Sequence, residues 1–248
     1  MTKREVIGRY RGSVMGLAWS FFNPILMLAV YTFVFSEVFQ SRWPGQEASK
    51  GSFAILLFVG MIVHGLFAEC ANRSPSLIMS NGNYVKKVVF PLEILPVITL
   101  GSAIFHTAIS LIVLLVAQFM LTHTLYWSAV FFPLILVPLF IATLGFSWLL
   151  AALGVYLRDV GQVIAVLTTV LLFLSPVLYP VAALPEAYQP WLKLNPLTYI
   201  IEESRNVLLF GQLPHWHSLG IAMLVGLAIA ATGFWFFQKM RKGFADVL

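Results

Sequence analysis

Residues 72–93 read Asn72-Arg73-Ser74-Pro75-Ser76-Leu77-Ile78-Met79-Ser80-Asn81-Gly82-Asn83-Tyr84-Val85-Lys86-Lys87-Val88-Val89-Phe90-Pro91-Leu92-Glu93. This is the long polar interruption in an otherwise apolar chain, with Arg73, Lys86 and Lys87 as its cations. Placing it in water makes the apolar runs on either side into membrane spans. Ser74-Pro75 reads as a helix start, since serine can cap free backbone N–H groups and proline loses nothing at the first helical position. A short helix over 75–80 is expected. Asn81-Gly82-Asn83 then offers a turn in which Gly82 can take positive φ. A second short amphipathic piece, 84–90, stops at Pro91. The stretch is a structured elbow and not a slack linker.

Working outward, the composition fits that reading. Hydrophobic residues make up 60% of the chain and charged ones 10%, with a mean hydropathy of +0.89. A soluble domain carries about a quarter charged residues, so this is an integral membrane protein. Each helical span needs about 20 mostly apolar residues, and the length leaves room for roughly six. The apolar runs are continuous, whereas barrel strands would alternate apolar and polar residues over about ten positions. A single cysteine, Cys70, excludes an intrachain disulfide, and no Cys/His spacing suggests a metal cluster. The net charge of +5 is not a nucleic-acid signal, because the cations sit at span ends.

In chain order, residues 1–16 carry Lys3, Arg4, Arg9 and Arg11, with Val6, Ile7, Tyr10 and Val14 on one helical arc. That spacing predicts an amphipathic helix in the interface plane. A signal peptide does not fit, since the apolar run that follows is too long and no small-residue cleavage site closes it. Spans are predicted at 17–39, 53–71, 94–121, 127–157, 163–179 and 219–237, in one domain covering 1–248. Asn23-Pro24 predicts a kink in the first span, and Pro133 and Pro138 a bend or tilt in the fourth. Segment 180–218 alternates prolines with apolar runs too short to cross, which predicts re-entrant or interfacial helices. Eleven Lys and Arg residues fall on the side of both termini and the elbow, and four on the other. By the positive-inside rule, both termini and the elbow are cytosolic.

The span interiors lack Asp, Glu, Lys and Arg, leaving His64 and His106 as intramembrane candidates. Ion-driven transporters usually bury such charges as relays. His64 with Glu69 has a passing likeness to the His-x4-acid pattern of membrane acyltransferases, without that family's supporting motifs. The sequence also lacks a Gly-x4-Gly-Lys-Ser/Thr phosphate loop. Energy is therefore expected from a separate ATPase docking on the elbow, through Arg73, Asn81, Tyr84, Lys86 and Lys87.

Several blocks carry a family resemblance: Arg9-Tyr10-Arg11-Gly12-Ser13-Val14-Met15-Gly16 with Trp19-Ser20 and Asn23-Pro24; the run from Asn81 to Pro91 continuing to Glu93-Ile94-Leu95-Pro96; Leu157-Arg158-Asp159-Val160; Ser175-Pro176-Val177-Leu178-Tyr179-Pro180; Asn195-Pro196-Leu197; and Phe244-Ala245-Asp246. Together these resemble type-2 ABC exporter permeases for polysaccharides, nearest the O-antigen branch. The resemblance implies a homodimer of six-span subunits in the inner membrane, with a coupling helix between spans 2 and 3 and gate helices between spans 5 and 6. It implies two copies of an ATP-binding cassette partner that bind the ATP and Mg, and no cofactor in this chain. The cargo it implies is an undecaprenyl-pyrophosphate-linked polysaccharide, whose diphosphate would meet Arg4, Arg9 or Arg11, since guanidinium groups can bind it in a bidentate fashion. Plain positive-inside anchoring is the other role open to these arginines.

Tyr31, Phe35, Phe39, Phe173 and Tyr179 are the expected lining of the sugar path, lipid-facing belts being the alternative. Glu202, Glu203 and Arg205 are expected at the gate, with Glu202 and Arg205 three apart and able to pair. The exposed face of an interfacial helix is the alternative for them. Export of a teichoic acid, capsule or small hydrophobic molecule, or modification of a glycan by a membrane enzyme, are the competing functions.

Overall fold

Hydrocarbon offers backbone N–H and C=O groups no partner, so each long apolar run closes its hydrogen bonds within one helix. The computed structural model describes residues 2–10, 12–38, 52–82 and 90–247, and the regular structure among them is entirely helical. The helices are α1 (Thr2–Arg9), α2 (Trp19–Tyr31, widening into a π-helical segment over Thr32–Val38), α3 (Ser52–Arg73) and α4 (Ile94–Thr122). They continue with α5 (Phe132–Tyr156), α6 (Val160–Phe173), α7 (Gln189–Lys193), α8 (Pro196–Leu209), α9 (Trp216–Arg241) and α10 (Phe244–Val247).

Among the described residues, five helical stretches are long and apolar enough to cross a bilayer: Gly16–Phe35, Phe53–Ser76, Ile94–Thr122, Trp127–Tyr156 and Trp216–Arg241. They coincide with five of the predicted spans. The difference lies at 163–179, where α6 ends at Phe173 after 14 residues. At 1.5 Å per residue it reaches about 21 Å, short of the hydrocarbon thickness of about 30 Å. The side-chain amide of Asn195 donates to the Leu174 carbonyl (3.2 Å) and to Ser175 Oγ (2.8 Å), which brings the start of α8 to the end of α6. Asn195 Oδ1 also accepts from Leu197 N at 3.0 Å, so Asn195-Pro196 caps α8 with the expected N-cap and first-turn residues.

The most enclosed span is α3, whose Ala54, Leu57, Val59 and Val63 have no exposed surface. It packs against α2, α4, α5, α6 and α8. The tightest helix pair is α5 with α9, where glycine lets two backbones touch. A Cβ on Gly233 would sit 2.1 Å from the Gly145 carbonyl oxygen, and one on Gly145 would sit 2.5 Å from that of Ile229. Small residues at a membrane helix interface act this way, trading side-chain burial for backbone approach.

Four local expectations change. The N-terminal helix stops at Arg9 and does not run to 16, because Gly12 and Gly16 adopt left-handed φ of +90° and +51°. Val6 is buried against the protein, whereas Ile7 on the same arc is exposed and Val14 lies beyond the helix. In the elbow, the 75–80 helix is replaced by 3-10 turns at Ser74–Ser76 and Met79–Asn81. Ser74 does not cap: its hydroxyl donates to the Cys70 carbonyl at 2.6 Å, extending α3. Gly82 keeps an ordinary helical φ of −55°. The second elbow piece, 84–90, lies outside the described residues but for Phe90.

Replacing Gly233 with Ala is expected to destabilise the protein by about 1–3 kcal/mol through overpacking, and Gly233→Leu by more. Gly220, with open space around its Cα, should tolerate Ala. Thermal unfolding in detergent measures the order; equal midpoints for Gly233→Ala and Gly220→Ala would contradict the backbone contact.

Candidate functional site

Two polar clusters sit at opposite ends of the bundle. The first is built around Glu69, near the end of α3, with Arg73 one turn later. Arg9 of α1 donates through Nη1 to Glu69 Oε1 at 2.5 Å, and the same nitrogen lies 3.2 Å from His106 Nδ1 of α4. His106 Nδ1 lies 3.3 Å from Glu69 Oε2, and its Nε2 lies 3.1 Å from the Tyr10 hydroxyl. Arg73 bridges two carboxylates, with Nη2 bonded to Glu5 of α1 and Nη1 3.7 Å from Glu69 Oε1. A short amphipathic helix cannot hold a fixed position by burying Val6 alone; the ion pairs tie α1 to α3 and α4.

Two cavities flank Arg73. One of about 330 Å³ is lined by Glu5, Gly8, Arg9 and Arg73. The other, about 410 Å³, has Arg4, Arg73, Ser76, Ser80 and Asn81 on its polar wall. Arg73 and Asn81, expected at the ATPase contact, thus face the same opening as Arg4, expected at the diphosphate. Asn81 Nδ2 is bonded to the Leu77 carbonyl at 2.9 Å, which fixes the side chain to its own turn. Tyr84, Lys86, Lys87 and Arg11 lie outside the described residues.

The elbow is anchored at both ends. A Cβ on Gly154 of α5 would fall 2.0 Å from the Pro75 carbonyl oxygen, so Pro75 rests directly on the α5 backbone. At the other end, Glu93 pairs with Arg241 of α9 at 3.1 Å, and Trp148 Nε1 of α5 donates to the Glu93 carbonyl at 3.0 Å. Tyr156 completes the frame by donating to the Met240 carbonyl at 2.9 Å.

The second cluster is on α8. Arg205, 3% exposed, donates from Nη1 to the Pro176 carbonyl (2.6 Å), from Nη2 to that of Val177 (2.9 Å) and from Nε to that of Leu56 on α3 (3.0 Å). Its three hydrogen-bond acceptors are backbone carbonyls, and Glu202 stands one helical turn earlier on α8. Gly60 makes room for this: a Cβ there would lie 3.0 Å from Val177 Cα and 3.1 Å from Arg205 Nη2. Glu203, 4% exposed, accepts from His215 through both Nδ1 (2.7 Å) and the backbone N–H (3.1 Å). The exposed-face alternative for Glu203 and Arg205 is thereby overturned, because both are buried.

Among the aromatics, Tyr179 donates its hydroxyl to the Phe173 carbonyl at 2.6 Å, joining two expected path residues, and Phe173 is exposed. Phe35 stacks on Phe53 with centroids 5.3 Å apart, and Tyr31 packs against the core. Phe39 lies outside the described residues. The His64–Glu69 pairing does not form: positions five apart on a helix point roughly 140° from each other, and His64 Nε2 instead meets the Thr168 carbonyl of α6 at 3.0 Å. Sequence reading named His106, Glu69 and Arg9 separately and missed their meeting; the available signal was the i,i+4 Glu69/Arg73 pair beside a lone α4 histidine.

The sequence pattern of the ABC-2 type transporter family matches residues 1–209. The chain is 27% identical over 248 residues to the O-antigen export system permease protein RfbA of Myxococcus xanthus, covering 99% of this chain and 93% of that one. It is 26% identical to the protein of the same name from Klebsiella pneumoniae, over 100% and 93% of the two chains. A further match, 23% identical over 92% and 90%, is the polysialic acid transport protein KpsM of Escherichia coli.

Exchanging Arg205 for Met removes donors from three carbonyls, and each buried carbonyl left unpaired costs about 1–3 kcal/mol. The unfolding midpoint should fall steeply, with Arg205→Lys between Met and the parent because one ammonium cannot span all three. A Met variant as stable as the parent would show that these carbonyls do not need the guanidinium.

Proposed function

Because the chain belongs to the ABC-2 type transporter family, we propose that it is the membrane subunit of an ATP-driven exporter of polysaccharide, with hydrolysis carried out by a separate cassette protein that binds the ATP and Mg. The observation that carries this is the elbow. A force applied there reaches α1 through the Arg73–Glu5 pair, α5 through Pro75 on Gly154, and α9 through Glu93 and Arg241. A surface tied to three separate helices transmits a push as a rigid-body movement and not as local bending.

In this reading both termini and the elbow face the cytosol, and the protein lies in the inner membrane. Arg73, Asn81, Tyr84, Lys86 and Lys87 form the ATPase contact, and the 75–81 turns are its coupling element. Two copies of the chain associate, with exposed apolar faces on α2 (Phe21, Phe22, Ile25) and α6 (Val163, Val166, Phe173) available to enclose a path. Phe35, Phe173 and Tyr179 present ring faces to a hydrated sugar chain. The half-length α6, the 174–195 segment and α8 act together as re-entrant gate helices, fastened by Arg205 and Glu203. The cargo is linked to an isoprenoid diphosphate, which meets Arg4, Arg9 and Arg11 as it enters. The O-antigen and polysialic acid relatives support polysaccharide as the cargo class.

Glutamate at both Lys86 and Lys87 is expected to reduce co-purification of the cassette partner at least about tenfold, a loss of roughly 1.4 kcal/mol, with membrane insertion unchanged. Cells lacking this chain should accumulate lipid-linked polymer on the cytosolic side. Undiminished co-purification removes the two lysines from the contact, and normal surface polymer without the chain removes the export role.

A further inference from the structure

Glu69 sits where an anionic ligand of Arg9 would sit. Arg9 reaches Glu69 through Nη1, and the residue also lines the 330 Å³ cavity that it shares with Glu5, Gly8 and Arg73. Three guanidinium groups, Arg4, Arg9 and Arg73, line the paired cavities together with one carboxylate, Glu5, and Glu69 is the second carboxylate in reach. The local balance therefore favours a further negative charge even with both carboxylates ionised.

Glu69 also has other donors. With Arg9 gone, its Oε2 keeps His106 Nδ1 at 3.3 Å and its Oε1 keeps Arg73 Nη1 at 3.7 Å. Exchange of partners at Arg9 thus strands no buried carboxylate, which is the usual barrier to breaking such a pair. Arg9 is also the terminal residue of α1, and its bond to Glu69 and its contact with His106 hold that end of the helix to α3 and α4.

We infer that Glu69 is a built-in competitor for a phosphate-type anion: a diphosphate entering beside Arg9 takes the guanidinium from Glu69 and frees the Arg9 end of α1 from α3 and α4. The inference rests on the proposed headgroup contact and adds to it a signal. Arrival of cargo changes the docking of a helix that, through Glu5 and Arg73, borders the elbow. The exchange breaks and makes hydrogen bonds only.

The test uses the full chain in phosphatidylcholine nanodiscs, with amide hydrogen exchange at residues 2–9 and binding titrations as readouts. Undecaprenyl diphosphate should speed exchange in 2–9 several-fold while leaving α4 unchanged. Glu69→Gln, close to isosteric, should exchange fast in 2–9 without ligand and bind undecaprenyl diphosphate about tenfold more tightly; Arg9→Gln should bind it about tenfold more weakly, as expected for one charge-assisted contact. If Glu69→Gln binds no tighter than the parent, or exchange in 2–9 ignores saturating ligand while Arg9→Gln still weakens binding, the competitor role is overturned and the headgroup contact stands. Full-strength binding by Arg9→Gln overturns both. Parallel arms with inorganic pyrophosphate and with phosphatidylglycerol nanodiscs assign the trigger: a response equal to that of undecaprenyl diphosphate upholds the exchange and transfers its source to free phosphate or to bulk anionic lipid.

Discussion

The absence of water from the bilayer core is the constraint on which this structure depends. A carbonyl released by a helix end in that medium must find a donor from elsewhere in the chain. The buried polar side chains of this protein repeatedly serve that purpose. Gln118 of α4 donates to the Leu208 carbonyl and Ser128 to that of Val207, covering the last turn of α8. Asn195 covers Leu174, Thr198 covers Leu192, and Arg205 covers Pro176 and Val177. A helix broken in mid-bundle is tolerable only with such partners, which explains why α6 and α8 can both be short and still lie among the long spans.

The same constraint separates the two ends of the molecule. Around α8, Arg205 and Glu203 are enclosed, and Arg205 is committed to three backbone carbonyls, so its geometry is fixed by the fold. Around α1 the charged groups are half exposed and pair with one another. Paired side chains at a wet boundary can trade partners at low cost, whereas an arginine committed to three carbonyls cannot. The architecture thus places a fixed set of charge contacts at one end and an exchangeable set at the other.

Between the ends, stiffness comes from close backbone contact. Glycine at 145 and 233 lets α5 and α9 approach until carbonyl and Cα meet, and Gly154 does the same for Pro75 of the elbow. Since α5 and α9 also hold Glu93 through Trp148 and Arg241, the elbow and this helix pair form one block.

The sequence by itself determined the membrane class, the positions of the long spans, the charge asymmetry and the place of the elbow, because hydropathy, helix period and proline are local properties of the chain. It also marked Glu202, Glu203 and Arg205 as unusual, since an ionisable group in an apolar run is visible without a fold. What only the tertiary structure decided is which groups meet. Glu69 joins His106, 37 residues away, and not His64 on its own helix; Arg205 reaches a carbonyl 149 residues away. The early stop of α6 was partly legible, because Pro176 stands two residues beyond Leu174; hidden was the donor to the freed Leu174 carbonyl, the Asn195 amide. Partners of this kind depend on which helices touch, and in a medium without water the choice of partner is what fixes each polar side chain.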